Sequence, residues 1–182
     1  SLILFLFSLG LFFSLVSTSI IASDKLNTNT YYFFIKHMLF IILGIFILIT
    51  FSAIDKKKLF QISKYLFFVF FIFLALVPFI GVEVKGSMRW IDLPIIPRFQ
   101  PIEILKPFLI IMISSVFTLN NQKHLYFKYL FSFFIIFPVI LFLISQPDLG
   151  QTILIVLTWF SLIFVSGINL LFFLGFFVLT FS

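Results

Sequence analysis

Residues 82–107 read V-E-V-K-G-S-M-R-W-I-D-L-P-I-I-P-R-F-Q-P-I-E-I-L-K-P and form a polar island in an otherwise apolar chain. Of the chain's twelve Lys and Arg and six Asp and Glu residues, the island holds seven: Glu83, Lys85, Arg89, Asp92, Arg98, Glu103 and Lys106. A membrane surface tolerates charged side chains, but charges inside an apolar helix are costly and mark functional candidates. Glu103 and Lys106 run on into such an apolar stretch, so they are the first residues to explain.

The composition describes an integral membrane protein. Of the 182 residues, 63% are hydrophobic and 10% are charged, whereas soluble domains average about 25% charged residues. Apolar runs suited to membrane helices, which need about 20 residues, lie at 2–21, 38–54, 65–82, 102–119, 129–145 and 149–167, with a shorter run at 170–182. They predict one all-α, polytopic transmembrane bundle of about seven helices, since barrel strands would alternate polar and apolar residues. Both chain ends fall inside apolar runs, so we expect the first and last helices to be truncated.

Basic residues predict the orientation of the bundle. The net charge is +6, but short loops between apolar spans place these residues at lipid headgroups rather than on nucleic acid. Segments 55–64 and 120–128 hold six Lys in nineteen positions, and short cytoplasmic loops are enriched in Lys and Arg. The raw count on the two sides is equal, but this density predicts a cytoplasmic location for both segments. Loop 83–101 is then on the outer side of the membrane.

Glu103 and Lys106 allow two interpretations. Their spacing of three residues places them on one helix face. Pro101 suits the first turn of that helix, while Pro107 frees the carbonyl of residue 103 and bends the helix there. The pair could form the wall of a polar cavity beside the long loop, or a structural ion pair at the helix end, and the residues alone do not separate these alternatives.

Arg89 also allows two interpretations. Followed by Trp90, it is typical of an interfacial anchor with a snorkelling arginine, which the residues favour. Alternatively, Arg89 joins Lys85 and Arg98 in a cationic patch for a phosphate-bearing ligand.

Asp148 lies between two apolar runs, three residues before Gln151. This is the spacing of a capping box and favours Asp148 as the N-cap of the following helix. The alternative is a carboxylate that binds a metal or a polar substrate. His37 and His124 fall at opposite predicted faces and cannot form one site. Cysteine is absent, and no complete catalytic motif is visible.

Three sequence blocks carry a resemblance to a known family. They are G-V-E-V-K-G-S-M-R-W-I-D-L at 81–93, F-Q-P-I-E-I-L-K-P at 99–107 and Q-P-D-L-G-Q-T at 146–152. Together they resemble the SEDS family (shape, elongation, division and sporulation), and its division branch more than its elongation branch. The chain departs from the family pattern at Ile102, where Ser is usual, at Ser87, where Ala is usual, and at His37, where Arg is often seen.

The resemblance implies a polytopic, ten-helix enzyme of the bacterial inner membrane. Such a peptidoglycan glycosyltransferase polymerises lipid II into glycan strands, here for the septal cell wall in cell division. It implies a class B penicillin-binding transpeptidase and other division proteins as partners, and a divalent cation, Mg²⁺ or Mn²⁺, as cofactor. The positions that match the family's cavity residues are Arg89, Gln100, Glu103, Lys106 and Asp148.

The resemblance also places the catalytic aspartate in a large outer loop after the seventh helix. We therefore expect no catalytic residue and no metal ligand within this sequence, and no activity from it alone. Three alternatives remain: an elongation-type polymerase, a lipid II flippase or other transporter, and a scaffold that recruits division proteins.

Overall fold

The computed structural model describes residues 2–18, 32–84, 86–94, 97–118 and 125–167. They form six α-helices and one β-hairpin: α1 (Leu2–Phe13), α2 (Tyr32–Ser52), α3 (Lys56–Ile80), β1 (Val82–Val84), β2 (Ser87–Trp90), α4 (Pro101–Thr118), α5 (Leu125–Ser145) and α6 (Leu149–Val165). A π-helical turn, Ser14–Thr18, follows α1. The chain divides into two compact units, Ser1–Asp55 and Lys56–Ser182.

The predicted transmembrane helix bundle is confirmed. Within the described ranges, four helical segments are long and apolar enough to cross a membrane: Phe34–Ser52, Lys56–Ile80, Pro101–Thr118 and Phe127–Ser145. The helices α1 and α6 are apolar but shorter. The predicted run 170–182 lies outside the described residues.

Two helices begin well before the apolar runs that predicted them. Helix α2 begins at Tyr32 rather than at residue 38, and α3 begins at Lys56 rather than at residue 65. Lys and Gln are good helix formers, and long basic side chains can extend from a helix end to the membrane surface. A search for apolar residues therefore detects the membrane-crossing part of α3 and omits its first, basic turns.

In the first unit, α1 packs against α2. His37 lies within α2 and not at its start, and its imidazole faces Gly10 of α1. The predicted opposition of His37 and His124 stays a prediction, because His124 lies outside the described residues.

In the second unit, α3 packs along α4 and contacts α5, while α4, α5 and α6 contact one another. The large side chains that are fully buried in these helices are aliphatic: Leu74, Val77, Ile102, Leu105, Ile113, Ile136, Val139 and Leu143. Because lipid tails are as apolar as these side chains, close packing and hydrogen bonds, rather than escape from water, hold such helices together.

Hydrogen bonds between the helices supplement this packing. The buried indole Nε1 of Trp159 in α6 donates to Ser132 Oγ in α5 at 3.0 Å. The Ser166 hydroxyl lies 3.3 Å from the Tyr129 hydroxyl. At the C-terminal end of α4, Lys128 Nζ donates to the carbonyl oxygen of Phe117 at 3.2 Å, which satisfies a carbonyl of the last helical turn.

The segment predicted as loop 83–101 contains an antiparallel β-hairpin. Val84 pairs with Ser87 across a two-residue turn, in which Gly86 has φ of +82°, a conformation that glycine adopts without strain. Beyond β2, Ile91 and Phe99 exchange two backbone hydrogen bonds. The hairpin, the start of α4 and the α5–α6 turn all lie at one end of the second unit, which we call the hairpin end.

Gly81 joins α3 to the hairpin at a position with no room for a side chain. Its N–H donates to the Val77 carbonyl at 2.8 Å, and an added Cβ would lie 2.3 Å from that same oxygen. The backbone must shift to accept any larger residue.

We expect Gly81→Ala to destabilise the protein by about 1–3 kcal/mol, because it overpacks this junction. The control is Gly44→Ala in α2, where an added Cβ meets nothing within 4 Å. That substitution should leave stability unchanged or raise it by up to about 1 kcal/mol. Thermal unfolding of the detergent-solubilised protein measures both, and equal melting temperatures would contradict the expected clash.

Candidate functional site

A buried carboxylate organises the hairpin end. Asp148 is 4% exposed and stands at the start of α6. Its Oδ1 accepts the Gln151 N–H at 3.5 Å, which confirms the predicted N-cap. Its Oδ2 accepts a hydrogen bond from Gln100 Nε2 at 3.0 Å, and Arg89 Nη1 lies 3.5 Å from Oδ1. The side chain thus connects β2, the segment before α4, and α6.

Arg89 makes a more specific contact than either sequence interpretation required. Besides Asp148, its guanidinium donates to the carbonyl oxygens of Gln146, at 3.4 Å, and of Pro147. These carbonyls follow the last turn of α5 and have no helical N–H partners, and a guanidinium with five donors can satisfy several acceptors at once. Arg89 therefore connects β2 to the α5–α6 turn, and its role as an interfacial anchor stays a prediction.

The alternative cationic patch of Lys85, Arg89 and Arg98 stays a prediction. Arg98 makes two hydrogen bonds to Oδ2 of Asp92, at 2.7 Å and 3.2 Å, and both side chains are exposed. Lys85, the third member of that patch, lies outside the described residues.

A second cluster lies beside the first and contains Glu103, Lys106 and Gln151. Lys106 Nζ is 2.7 Å from Glu103 Oε2 and donates to Gln151 Oε1 at 3.0 Å. Gln151 Nε2 donates in turn to Glu103 Oε1 at 2.6 Å. The three side chains close a ring between α4 and α6, which we call the ion-pair triad.

The ion-pair triad explains how a lysine can stand near the start of α4. A helix N-terminus disfavours cations, but Lys106 is compensated by a carboxylate and an amide oxygen. Its side chain is 17% exposed, whereas that of Glu103 is 48% exposed. The lysine also borders a narrow, apolar crevice of about 20 Å³ between α4, α5 and α6, lined by residues such as Ile113 and Trp159.

The capping box predicted for Asp148 and Gln151 forms only in part. In a complete box, the Gln151 side chain would accept the Asp148 N–H. That N–H instead donates to the Leu143 carbonyl at 3.0 Å, because the Gln151 amide is held by the ion-pair triad. Gln151 therefore contributes its backbone to the Asp148 cluster and its side chain to the triad.

The structure thus brings the five predicted site residues into two adjoining clusters. Arg89, Gln100 and Asp148 form the first, Glu103 and Lys106 belong to the second, and Gln151 joins them. The bridging role of Gln151 was not predicted from the sequence, although its place three residues after Asp148 was a usable signal.

The chemistry available to these clusters is restricted. Arg89, Gln100 and the Gln151 N–H occupy the Asp148 carboxylate, which leaves it suited to structure rather than to binding a metal or substrate. Across the part of the chain that the structure describes, no three His, Cys, Asp or Glu residues are grouped to hold a metal ion. Among the charged side chains of the two clusters, Glu103 is the most exposed, followed by Arg89 and then Lys106.

We expect Asp148→Ala to destabilise the protein by about 2–4 kcal/mol, because it removes an N-cap and leaves Arg89 and Gln100 without their carboxylate. The matched control is Asp92→Ala, which removes the carboxylate of an exposed ion pair and should cost less than about 1 kcal/mol. Chemical denaturation in detergent measures both values. Similar losses for the two variants would contradict the structural role of Asp148.

The fold and the site define a multi-pass membrane protein with a polar cluster at one end of its helix bundle. The model of the family described as "Cell cycle protein", FtsW/RodA/SpoVE, matches residues 1–182. The chain therefore belongs to the FtsW/RodA/SpoVE, or SEDS, family, as the sequence blocks predicted.

Curated relatives of the chain named FtsW show the same relationship. The chain is 31% identical over 167 residues to the probable peptidoglycan glycosyltransferase FtsW of Haemophilus influenzae, covering 89% of this chain and 41% of that protein. It is 33% identical over 173 residues to the protein of the same name from Coxiella burnetii, covering 91% of this chain and 45% of that protein. The chain thus spans less than half the length of these relatives.

Two solved structures share the fold. The crystal structure of the Thermus thermophilus rod shape determining protein RodA has a TM-score of 0.69 and 23% identity, and the match covers 94% of this chain and 58% of RodA. A chain from a structure described as "Structural coordination of polymerization and crosslinking by a peptidoglycan synthase complex" has a TM-score of 0.70 and 24% identity, with coverage of 94% and 51%. These similarities support the helical architecture.

Proposed function

We propose that the full-length protein is a peptidoglycan glycosyltransferase that polymerises lipid II into glycan strands for the septal wall. The observation that carries this proposal is the ion-pair triad, which fixes the partly exposed Lys106 side chain at the hairpin end. A lipid-linked pyrophosphate presents an anionic group, for which the Lys106 ammonium group is a suitable partner. The names of the curated relatives support the same reaction class.

In glycosyl transfer, a hydroxyl oxygen of the acceptor sugar attacks the anomeric carbon of the donor. The bond from that carbon to the pyrophosphate oxygen breaks, and the hydroxyl proton passes to a base. The Lys106 ammonium group uses two of its three hydrogens to contact Glu103 and Gln151. The third can stabilise the negative charge on the departing pyrophosphate, as a preorganised cation does in such reactions.

The base is proposed to be an aspartate elsewhere in the full-length protein, because Asp148 is occupied by three donors and Glu103 by two. A divalent cation, Mg²⁺ or Mn²⁺, is part of the proposal on the family resemblance alone. The described residues do not provide a set of ligands for it, so no step is assigned to a metal here.

The proposed reaction places the hairpin end on the periplasmic side of the bacterial inner membrane. The density of lysines at the other end of the bundle supports this orientation. A class B penicillin-binding transpeptidase and other division proteins are the proposed partners. The peptidoglycan synthase complex named for one structural neighbour supports the first of them.

The test is lipid II polymerisation by the purified full-length protein and its variants. We expect Lys106→Met to lower the rate of glycan synthesis by about 10²–10³-fold, the usual effect of removing one preorganised charge-stabilising group. The control is Lys64→Met, which removes an exposed lysine from α3 near the opposite end and should leave the rate unchanged. A Lys106→Met protein that polymerises at the wild-type rate would refute this role.

The same preparation separates the remaining alternatives. Transport of lipid II across proteoliposomes without polymerisation would favour a flippase or other transporter. A scaffold predicts that Glu103→Gln and Lys106→Met leave function in cells intact. If expression of the full-length protein in cells restored elongation rather than division, this result would favour the elongation-type polymerase.

A further inference from the structure

Helix α3 contains a proline, and a side chain from the α5–α6 turn replaces the backbone hydrogen bond that this proline cannot make. Pro78 has no N–H, so the carbonyl of Leu74, four residues earlier, lacks its usual helical donor. The side-chain amide of Gln146 donates to this carbonyl oxygen at 3.1 Å. Leu74 is 0% exposed and Gln146 is 4% exposed, so water has little access to the contact.

Burial makes the loss of this hydrogen bond costly to stability. A polar group without a partner in an apolar interior is strongly disfavoured, and in a membrane no solvent can take the place of the missing donor. Gln146 also has its backbone fixed, because its N–H donates to the carbonyls of Phe142 and Leu143, both at 3.2 Å. A donor held by the end of α5 thus satisfies the carbonyl that the proline of α3 leaves open.

The same residue connects this part of α3 to the Asp148 cluster. The carbonyl oxygen of Gln146 accepts a hydrogen bond from Arg89 Nε of β2. Pro78 and Gln146 also line an open crevice of about 290 Å³ together with the hairpin residues Glu83, Ser87 and Met88. The end of α3, the hairpin and the α5–α6 turn therefore meet at one glutamine.

We propose that Gln146 is a positioning residue that supplies the hydrogen bond missing at Pro78 and thereby fixes the hairpin, with Arg89, against Asp148. Its side chain replaces the absent N–H of residue 78, while its backbone carbonyl accepts a hydrogen bond from the arginine. We expect the last turn of α3 to keep its orientation only while the Gln146 amide donates to the Leu74 carbonyl. This assignment concerns geometry and does not require the glycosyltransferase activity proposed above.

The proposal predicts a specific rescue, because Pro78→Ala would supply the N–H that Gln146 replaces. In the full-length protein, Gln146→Met should lower the melting temperature by about 3–6 °C, the loss expected for one buried, unsatisfied carbonyl. In a Pro78→Ala background, the same substitution should lower it by less than about a third of that amount. Thermal unfolding in detergent of the four proteins measures the coupling.

Two controls isolate the mechanism. Gln61→Met replaces an exposed glutamine of the same helix and should leave the melting temperature unchanged. Pro138→Ala removes a helical proline from α5 and should not rescue Gln146→Met. An equal loss in the wild-type and Pro78→Ala backgrounds, or rescue by Pro138→Ala, would overturn the proposal and leave Gln146 as a packing residue.

A second measurement reports the geometry directly. Spin labels at positions 87 and 145, on the hairpin and at the end of α5, face the same crevice. Gln146→Met should broaden the distance distribution between them, and Pro78→Ala should narrow it again. Unchanged distributions would contradict a positioning role.

If Gln146→Met does not accumulate as folded protein, the amount of folded protein of each variant is measured instead. The double variant Gln146→Met/Pro78→Ala should then accumulate, and its absence would overturn the proposal. Because none of these measurements needs catalysis, a failed polymerisation assay leaves the test of Gln146 intact.

Discussion

The hairpin end depends on the compensation of one buried negative charge. Asp148 has almost no access to solvent, and an uncompensated carboxylate in such a position would be severely destabilising. The first turn of α6 supplies a backbone N–H, β2 supplies Arg89, and the segment before α4 supplies Gln100. Each donor comes from a different part of the chain, so their positions are mutually dependent.

Three glutamines make most of the remaining connections at this end. Gln100 contacts Asp148 at the start of α6, Gln151 closes the ion-pair triad with α4, and Gln146 contacts the Leu74 carbonyl of α3. An amide donates and accepts hydrogen bonds without carrying a charge, so it connects helices in an apolar environment without the desolvation penalty of another ion. The ion pairs hold the charged side chains in place, and the amide hydrogen bonds set the distances between the helices that carry them.

Local sequence features predicted part of this arrangement. The apolar runs located the helices, the spacing of Glu103 and Lys106 predicted that they share one helix face, and the position of Asp148 predicted its cap. Each of these depends on residues within a few positions of one another. The contacts that bring the clusters together join residues 45 to 72 positions apart in sequence, and no local pattern encodes which residues will meet across such distances.

The hairpin could not be predicted from the sequence for a different reason. Its V-E-V-K-G-S-M-R-W sequence alternates only briefly, and the strands have three and four residues. A short strand pair of this kind is only marginally stable by itself, so its formation depends on contacts such as that of Arg89 with the α5–α6 turn. The charges of the island suggested a loop because the tertiary partners that turn it into a hairpin lie beyond residue 140.

The segment between Asp92 and Arg98 is closed at its base by the Ile91–Phe99 hydrogen bonds and by its own ion pair. Lengthening a loop whose ends are already fixed adds little to the entropy of closing it. This stretch is therefore a natural graft site: an epitope or fluorescent tag inserted there would report on the protein at the membrane surface while the residues on either side keep their register.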